Sequence, residues 1–206
     1  MSEDQAQPTV SSVTSTYLLE GLKDPANQTV WQQYVDRYRP LILRYAQRLG
    51  LDEADGEDAA QQALLAFCEA YRQGKYERGK GRLRDWLFGI ARNQIRNYQR
   101  RQPQRQGQMA AAPGRTDFFD QQPDEKQHED IWEQEWRDAV LRQCLLKVRS
   151  EVGEKMFAAF ELFASQGWSA QKVAEHLGLT ANAVFIAKHR ILRRIRELFP
   201  TMEEVW

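Results

Sequence analysis

The sequence predicts an all-α protein made of two small helical domains joined by a flexible linker. Three observations predict it. Apolar residues recur at helical spacing in almost every segment, and strand-like alternation persists nowhere. Between Gln102 and Pro123 the apolar periodicity lapses and Gln, Pro, Gly and Ala take over, the composition of a linker. The chain has 206 residues, 42% of them apolar, enough for one good core or two small ones. The expected division is a disordered amino terminus at 1–14, a first helical domain at 15–105, a linker at 106–128 and a second helical domain at 129–206.

The elements follow in order. Met1 to Thr14 is polar and rich in Ser and Gln, too poor in apolar residues to fold on its own. Thr16 to about Leu49 carries two helical patterns, with Trp31, Tyr34, Val35, Tyr38, Leu41, Ile42, Tyr45 and Leu49 on one face. Pro40 is expected to kink or break this run, and Gly50 to end it. Asp55 is the expected cap of the next helix, in which Ala60, Leu64, Phe67 and Tyr71 fall at i, i+4, i+7 and i+11. A glycine-rich basic loop, Gln73 to Arg82, leads into a helix from Leu83 to about Arg101, with Leu87, Ile90, Ala91, Ile95 and Tyr98 clustered on one side. From Glu129 the helical pattern resumes through Trp132, Trp136, Val140, Cys144 and Leu145, then Met156, Phe157, Phe160 and Phe163.

The segment Gly167 to Leu198 predicts a helix-turn-helix. Ser169 caps a short helix carrying Val173, Ala174 and Leu177, which stops at Gly178. Leu179 plugs the turn and Thr180 caps a second helix, whose apolar stripe is Val184, Ala187, Ile191, Ile195 and Leu198. At 100° per residue, Asn182, Ile186, His189, Arg190 and Arg193 lie opposite that stripe, facing outward. A short helix, a glycine turn and a longer helix with a polar, cationic outer face can place side chains in a major groove.

The net charge is zero, with 29 basic and 29 acidic residues, but the charges are segregated. Arg72 to Arg105 holds eleven Lys or Arg against Glu77 and Asp85, and Asp117 to Asp138 holds nine carboxylates against Lys126 and Arg137. Asp52, Glu53, Asp55, Glu57 and Asp58 form a third, purely acidic block. Such alternation suggests partners of opposite sign. Arg92, Arg96 and Arg100 align at i, i+4 and i+8 beside Asn93, and like charges so spaced invite an anionic ligand. The preceding loop adds Lys75, Arg78, Lys80 and Arg82 with Tyr76, a mixture suited to unpaired nucleic acid, whose bases stack on rings while its phosphates meet cations.

Other chemistries lack their residues. Cys68 and Cys144 are isolated on apolar positions and read as core residues; His128, His176 and His189 do not pair with them at ligand spacing, so no metal and no cofactor are expected. No nucleophile, base and orienting group assemble, and GKGR at Gly79 to Arg82 lacks the spacing and hydroxyl of a phosphate loop, so an enzyme is not expected. No apolar run approaches membrane-spanning length and no basic start precedes an apolar block, so a cytoplasmic protein without membrane insertion is expected.

In order and spacing these motifs resemble the bacterial RNA polymerase sigma factors of the extracytoplasmic-function (ECF, sigma-70-like) family, over most of the chain. DGEDAAQQALLAFCEAY, Asp55 to Tyr71, is similar to the family's DAEDLVQEVF element, which binds core polymerase. RLRDWLFGIARNQIRNYQRR, Arg82 to Arg101, is similar to the element that recognises and melts the minus-10 region, and the helix-turn-helix resembles the domain that reads the minus-35 element. The resemblance implies region 2 in 15–105 and region 4 in 129–206, with core RNA polymerase and promoter DNA as partners. It also implies control from outside the chain, by an anti-sigma protein, a kinase or expression level.

Carried over residue by residue, Asp55, Glu57, Asp58, Gln61 and Gln62 would meet the polymerase, Gln62 standing where the family often has Glu. Lys75, Tyr76, Arg78, Lys80, Arg82, Trp86, Arg92, Asn93, Arg96, Asn97 and Arg100 would form the minus-10 surface, Asn97 replacing a common Asp and the loop capturing a flipped base. Thr180, Asn182, Phe185, Ile186, His189, Arg190, Arg193 and Arg196 would form the minus-35 surface. Phe185, Ile186 and Ala187 replace a usual polar stretch, which implies an uncommon minus-35 motif with contacts to thymine methyls. The competing functions are a helix-turn-helix repressor or activator that acts without core polymerase, and a helical adaptor whose basic faces are merely solvated.

Overall fold

A computed structural model describes residues 15–77, 81–107 and 125–205. Among them the chain is helical throughout: α1 (Ser15–Gly21), α2 (Gln28–Arg48), α3 (Glu53–Arg72), α4 (Leu83–Gly107), α5 (Glu125–Glu151), α6 (Glu154–Phe160), α7 (Ala170–Leu177) and α8 (Ala181–Val205). α6 runs on into a π-helical turn, Glu161–Ser165. The predicted disordered amino terminus and residues 108–124 of the predicted linker lie outside the described residues. The chain divides into two compact units, Ser15–Trp136 and Arg137–Trp206, with the division inside α5. The reason is visible in the first unit, where Trp132 and Trp136 are buried among its aromatic residues.

In the first unit α3 packs against both α2 and α4, and α1 rests on α2. Tyr34, Tyr38, Leu41, Ile42 and Tyr45 of α2 meet Ala60, Leu64 and Phe67 of α3 and Leu87, Ala91 and Ile95 of α4 in the core. Three expectations change here. α2 continues through Pro40 without a break. A helical proline costs about 3 kcal/mol, and the burial of Tyr34, Tyr38, Leu41, Ile42 and Tyr45, each contributing roughly 1.5–3 kcal/mol, outweighs it. The cap of α3 is Asp52, not Asp55: its carboxylate accepts from the Asp55 amide at 2.8 Å. α3 therefore starts at Glu53, and Asp55 lies in its first turn. At the other end, α4 runs past the expected stop near Arg101 to Gly107.

The second unit is the helix-turn-helix and its support. Ser169 caps α7 by accepting from the Lys172 amide at 3.2 Å, and Thr180 caps α8 by accepting from the Ala183 amide at 3.1 Å. Gly178 between them sits at φ +60°, the left-handed region that glycine enters without a steric cost. Val173, Ala174, Val184, Ala187 and Ala159 form the core, with Leu177 and Leu179 packed against it. Arg194 of α8 forks onto the Glu151 carboxylate at 2.7 and 3.2 Å. α8 extends beyond Leu198 through Pro200, which is exposed near the helix end. Cys68 and Cys144 are both buried and unbonded, and burial pushes the Cys68 thiol up to about 12, which suits a core residue rather than a reactive one.

Candidate nucleic-acid and polymerase interfaces

Three surfaces carry the residues singled out from the sequence. The first is the start of α3. Asp58, Gln61 and Gln62 are exposed, and Leu65, one turn on, is 39% exposed although large and apolar. Sequence reading missed Leu65 because it was assigned to neither the core stripe nor the acidic block. Asp55 and Glu57 are half-buried, and Glu57 pairs with Arg39 of α2 at 2.7 Å. Its charge is thus partly matched within the chain.

The second surface is the loop before α4 and α4 itself. Tyr76 lies flat against Trp86 with centroids 5.0 Å apart, Trp86 leans on Phe67 at 4.7 Å, and Tyr71 lies 6.3 Å from Tyr76. The aromatic predicted to meet a base is therefore held in a preformed cluster of rings. Lys75 and Arg82 are exposed on either side, while Arg78 and Lys80 fall outside the described residues. Along α4 Asp85, Asn93, Asn97 and Arg100 are exposed, whereas Arg92 and Arg96 are half-buried. The three arginines at four-residue spacing do not share one environment, because the α-helix advances 400° in four residues and the row drifts around the axis. Arg92 stacks its guanidinium over Phe88 at 5.3 Å and pairs with Glu125 of α5.

Around Arg92 lies a buried polar cluster that the sequence did not single out. His128 and Glu135 of α5 are both buried. His128 Nδ1 shares a hydrogen bond with the Tyr45 hydroxyl at 2.7 Å, and Glu135 accepts from Arg44 at 2.9 Å and Arg48 at 3.3 Å. Arg84 of α4 pairs with Glu133. Burial, then the Arg96 and Arg92 charges, lowers the His128 pKa, and Glu125 partly opposes them. The same burial raises the Tyr45 hydroxyl against the pull of Arg92 and Arg96. A signal for the cluster existed: His128, Trp132, Glu135 and Trp136 share one face at i, i+4, i+7 and i+8, which places a histidine and a carboxylate on an apolar stripe.

The third surface is the outer face of α8. Asn182, His189, Arg190, Arg193 and Arg196 are exposed, as is Thr180 at the cap, and Phe185 and Ile186 are 53% and 54% exposed. The Phe185 ring meets Phe163 edge-on at 5.3 Å, which fixes its direction. Phe185 and Ile186 are thus large apolar side chains left open beside the polar and cationic residues of this face.

A helix-turn-helix with an open cationic face, in a chain that also carries a helical unit with aromatic and arginine-rich surfaces, defines a protein of the nucleic-acid-binding class. Residues 34–105, spanning most of α2, all of α3 and most of α4, match the family model for Sigma-70 region 2. Over 181 residues the chain is 25% identical to the ECF RNA polymerase sigma factor SigL of Mycobacterium tuberculosis, covering 87% of this chain and 93% of that protein. It is 26% identical over 188 residues to the RNA polymerase sigma factor CarQ of Myxococcus xanthus, covering 90% of this chain and 97% of that protein. Residues 34–105 thus match a Sigma-70 region 2, and over most of its length the chain is similar to ECF RNA polymerase sigma factors. Among the described residues no helix is long and apolar enough to cross a membrane, and no group of side chains could hold a metal ion.

Proposed function

We infer that this protein is an alternative sigma factor that binds core RNA polymerase, recognises minus-35 and minus-10 promoter elements and starts transcription. The observation that carries the reading is the order of its parts: a Sigma-70 region 2 match over 34–105, followed by a helix-turn-helix whose second helix keeps its cationic face open.

The assignment of surfaces is the finer part of the proposal. Asp58, Gln61 and Gln62, with Leu65 beside them, present the polymerase-docking face, and Asp55 and Glu57 support it from half-buried positions. The Tyr76–Trp86 stack, with Lys75, Arg82, Asn93, Asn97 and Arg100, meets the minus-10 strand, an aromatic shelf flanked by cations of the kind that holds unpaired bases. Arg92 and Arg96 join this surface from its edge, and Arg78 and Lys80 are placed there by sequence order alone. On α8, Asn182, Phe185 and Ile186 read base edges, while His189, Arg190, Arg193 and Arg196 hold phosphates. Thr180 anchors the start of that helix.

Transcription in vitro from purified core polymerase and this chain tests the whole. Promoter-specific transcripts should appear only when both are present. Asp58→Lys with Gln62→Lys leaves the Arg39–Glu57 pair intact and should weaken core binding at least a hundredfold, because like charges set against each other cost several kcal/mol. Unchanged core affinity by titration removes the α3 assignment. Specific binding to intact duplex promoter DNA with no polymerase present would favour a free-standing repressor or activator instead.

A further inference from the structure

The first three turns of α5 are acidic and sit on a cationic face. Glu125, Glu129, Asp130, Glu133 and Glu135 fall within twelve residues, Glu125 to Trp136, against Lys126. Three of the five are paired across this face: Glu125 with Arg92, Glu133 with Arg84, and Glu135 with Arg44 and Arg48. The pairing takes the α4 arginines out of solvent, leaving the Arg84 side chain 18% and the Arg92 side chain 21% exposed. Trp132 anchors the segment against Tyr45 and Phe88, at 5.3 and 5.5 Å between centroids.

We propose that Glu125–Trp136 is an acidic arm that stands in for nucleic acid on the α4 arginines of the free chain and must be displaced before α4 meets the minus-10 strand. The inference rests on the reading of α4 as the minus-10 surface. A phosphate backbone and a row of carboxylates present the same charge to a guanidinium, so one excludes the other at Arg92 and Arg84. The attachment is graded. Glu135 is buried between two arginines and Glu125 is 63% exposed, so release begins at the arm's amino-terminal end. The Trp132 indole N–H is buried with no acceptor among the described residues, a feature that weakens the docked state. Glu129 and Asp130 point to solvent on the same helix and provide a charge-matched control.

The test measures binding of the full chain to a forked DNA carrying a single-stranded minus-10 segment, at low salt. Glu125→Gln with Glu133→Gln removes the two pairs on α4, and Glu129→Gln with Asp130→Asn removes the same charge elsewhere on the arm. The first variant should bind about tenfold tighter than the second, the size expected from two partly exposed ion pairs. Hydrogen exchange on the unaltered chain should show residues 125–133 losing protection when the DNA is added. Equal affinities of the two variants, or an arm that stays protected with DNA bound, overturns the inference. Asn93→Ala and Arg100→Ala, placed in both backgrounds, separate its failure from that of the DNA reading. If they weaken binding while the backgrounds stay equal, only the arm proposal fails; if they leave binding unchanged, the minus-10 reading fails and the arm proposal with it.

Discussion

The two units treat their cations in opposite ways. In Ser15–Trp136 the arginines of α4 that border α5 are half-buried and matched by Glu125 and Glu133. In the helix-turn-helix the outer face of α8 carries Asn182, His189 and Arg190 in the open, and the Arg193 side chain stays 68% exposed although Glu197, one turn on, lies 3.6 Å from it. The difference follows from which elements border each helix. α8 packs on α6 and α7, which form its floor, and pairs Arg194 with Glu151 of α5. α4 meets partners more than thirty residues away, Glu125 and Glu133 among them, that bear the opposite charge. One interface is ready as folded, and the other has a competitor within its own unit.

The largest expected effect would break the comparison at its floor. Ile191→Ala removes a fully buried side chain beneath the α8 face and should destabilise the helix-turn-helix by about 2–5 kcal/mol, measured by urea denaturation of the full chain. A change below 1 kcal/mol would mean that this floor is not what positions the open face.

Next comes the reading itself. Asn182→Ala or Ile186→Ala should change which minus-35 sequences are accepted, at about 1–3 kcal/mol per lost base contact. Arg193→Ala or Arg196→Ala should weaken all sequences about equally and lower the salt slope by about one. Selection over randomised minus-35 promoters separates the two behaviours, and an unchanged preferred motif for both Asn182→Ala and Ile186→Ala would make this face a protein contact rather than a reader.

The caps should show the units behaving alike. Asp52→Ala in the first unit and Thr180→Ala in the second each leave amides at a helix start without their side-chain acceptor, and each should cost about 1 kcal/mol. Thermal unfolding followed by circular dichroism measures both. A loss above 3 kcal/mol in either would point to a role beyond capping.

The smallest expected effect sharpens the contrast through pH. His128 faces Tyr45 from α2, Arg92 and Arg96 from α4, and Glu125 on its own helix. Its folded pKa lies below the ordinary value near 6.5, so the unfolded or undocked state binds the proton more readily. The stability that His128 contributes is therefore complete above about pH 6.5 and declines as pH falls through the lowered folded value. Glu125 works against the other causes, which keeps the effect small. Hydrogen exchange of residues 125–133 between pH 7.5 and 5.5 should show protection falling on the acid side, and His128→Asn should flatten that dependence.

Sequence alone determined what depends on near neighbours. The all-α class, the caps at Ser169 and Thr180, the stop of α7 at Gly178, the apolar stripe of α8 and its outward residues are all set by spacing within a few turns, and they stand as read. So do the buried places of Cys68 and Cys144. Only the tertiary structure decided the rest. Pro40 stays inside α2 because distant core partners outweigh its local penalty. Asp52 displaced Asp55 as the α3 cap because several carboxylates stood close enough to compete, and local preference could not choose among them. The arginine row at 92, 96 and 100 looked uniform by spacing, yet Arg92 and Arg96 are half-buried and Arg92 is matched by a carboxylate 33 residues away. Local sequence fixes backbone conformation through short-range sterics and hydrogen bonds. Which charge meets which across the fold depends on long-range packing, and for α4 that packing separates an open surface from a covered one.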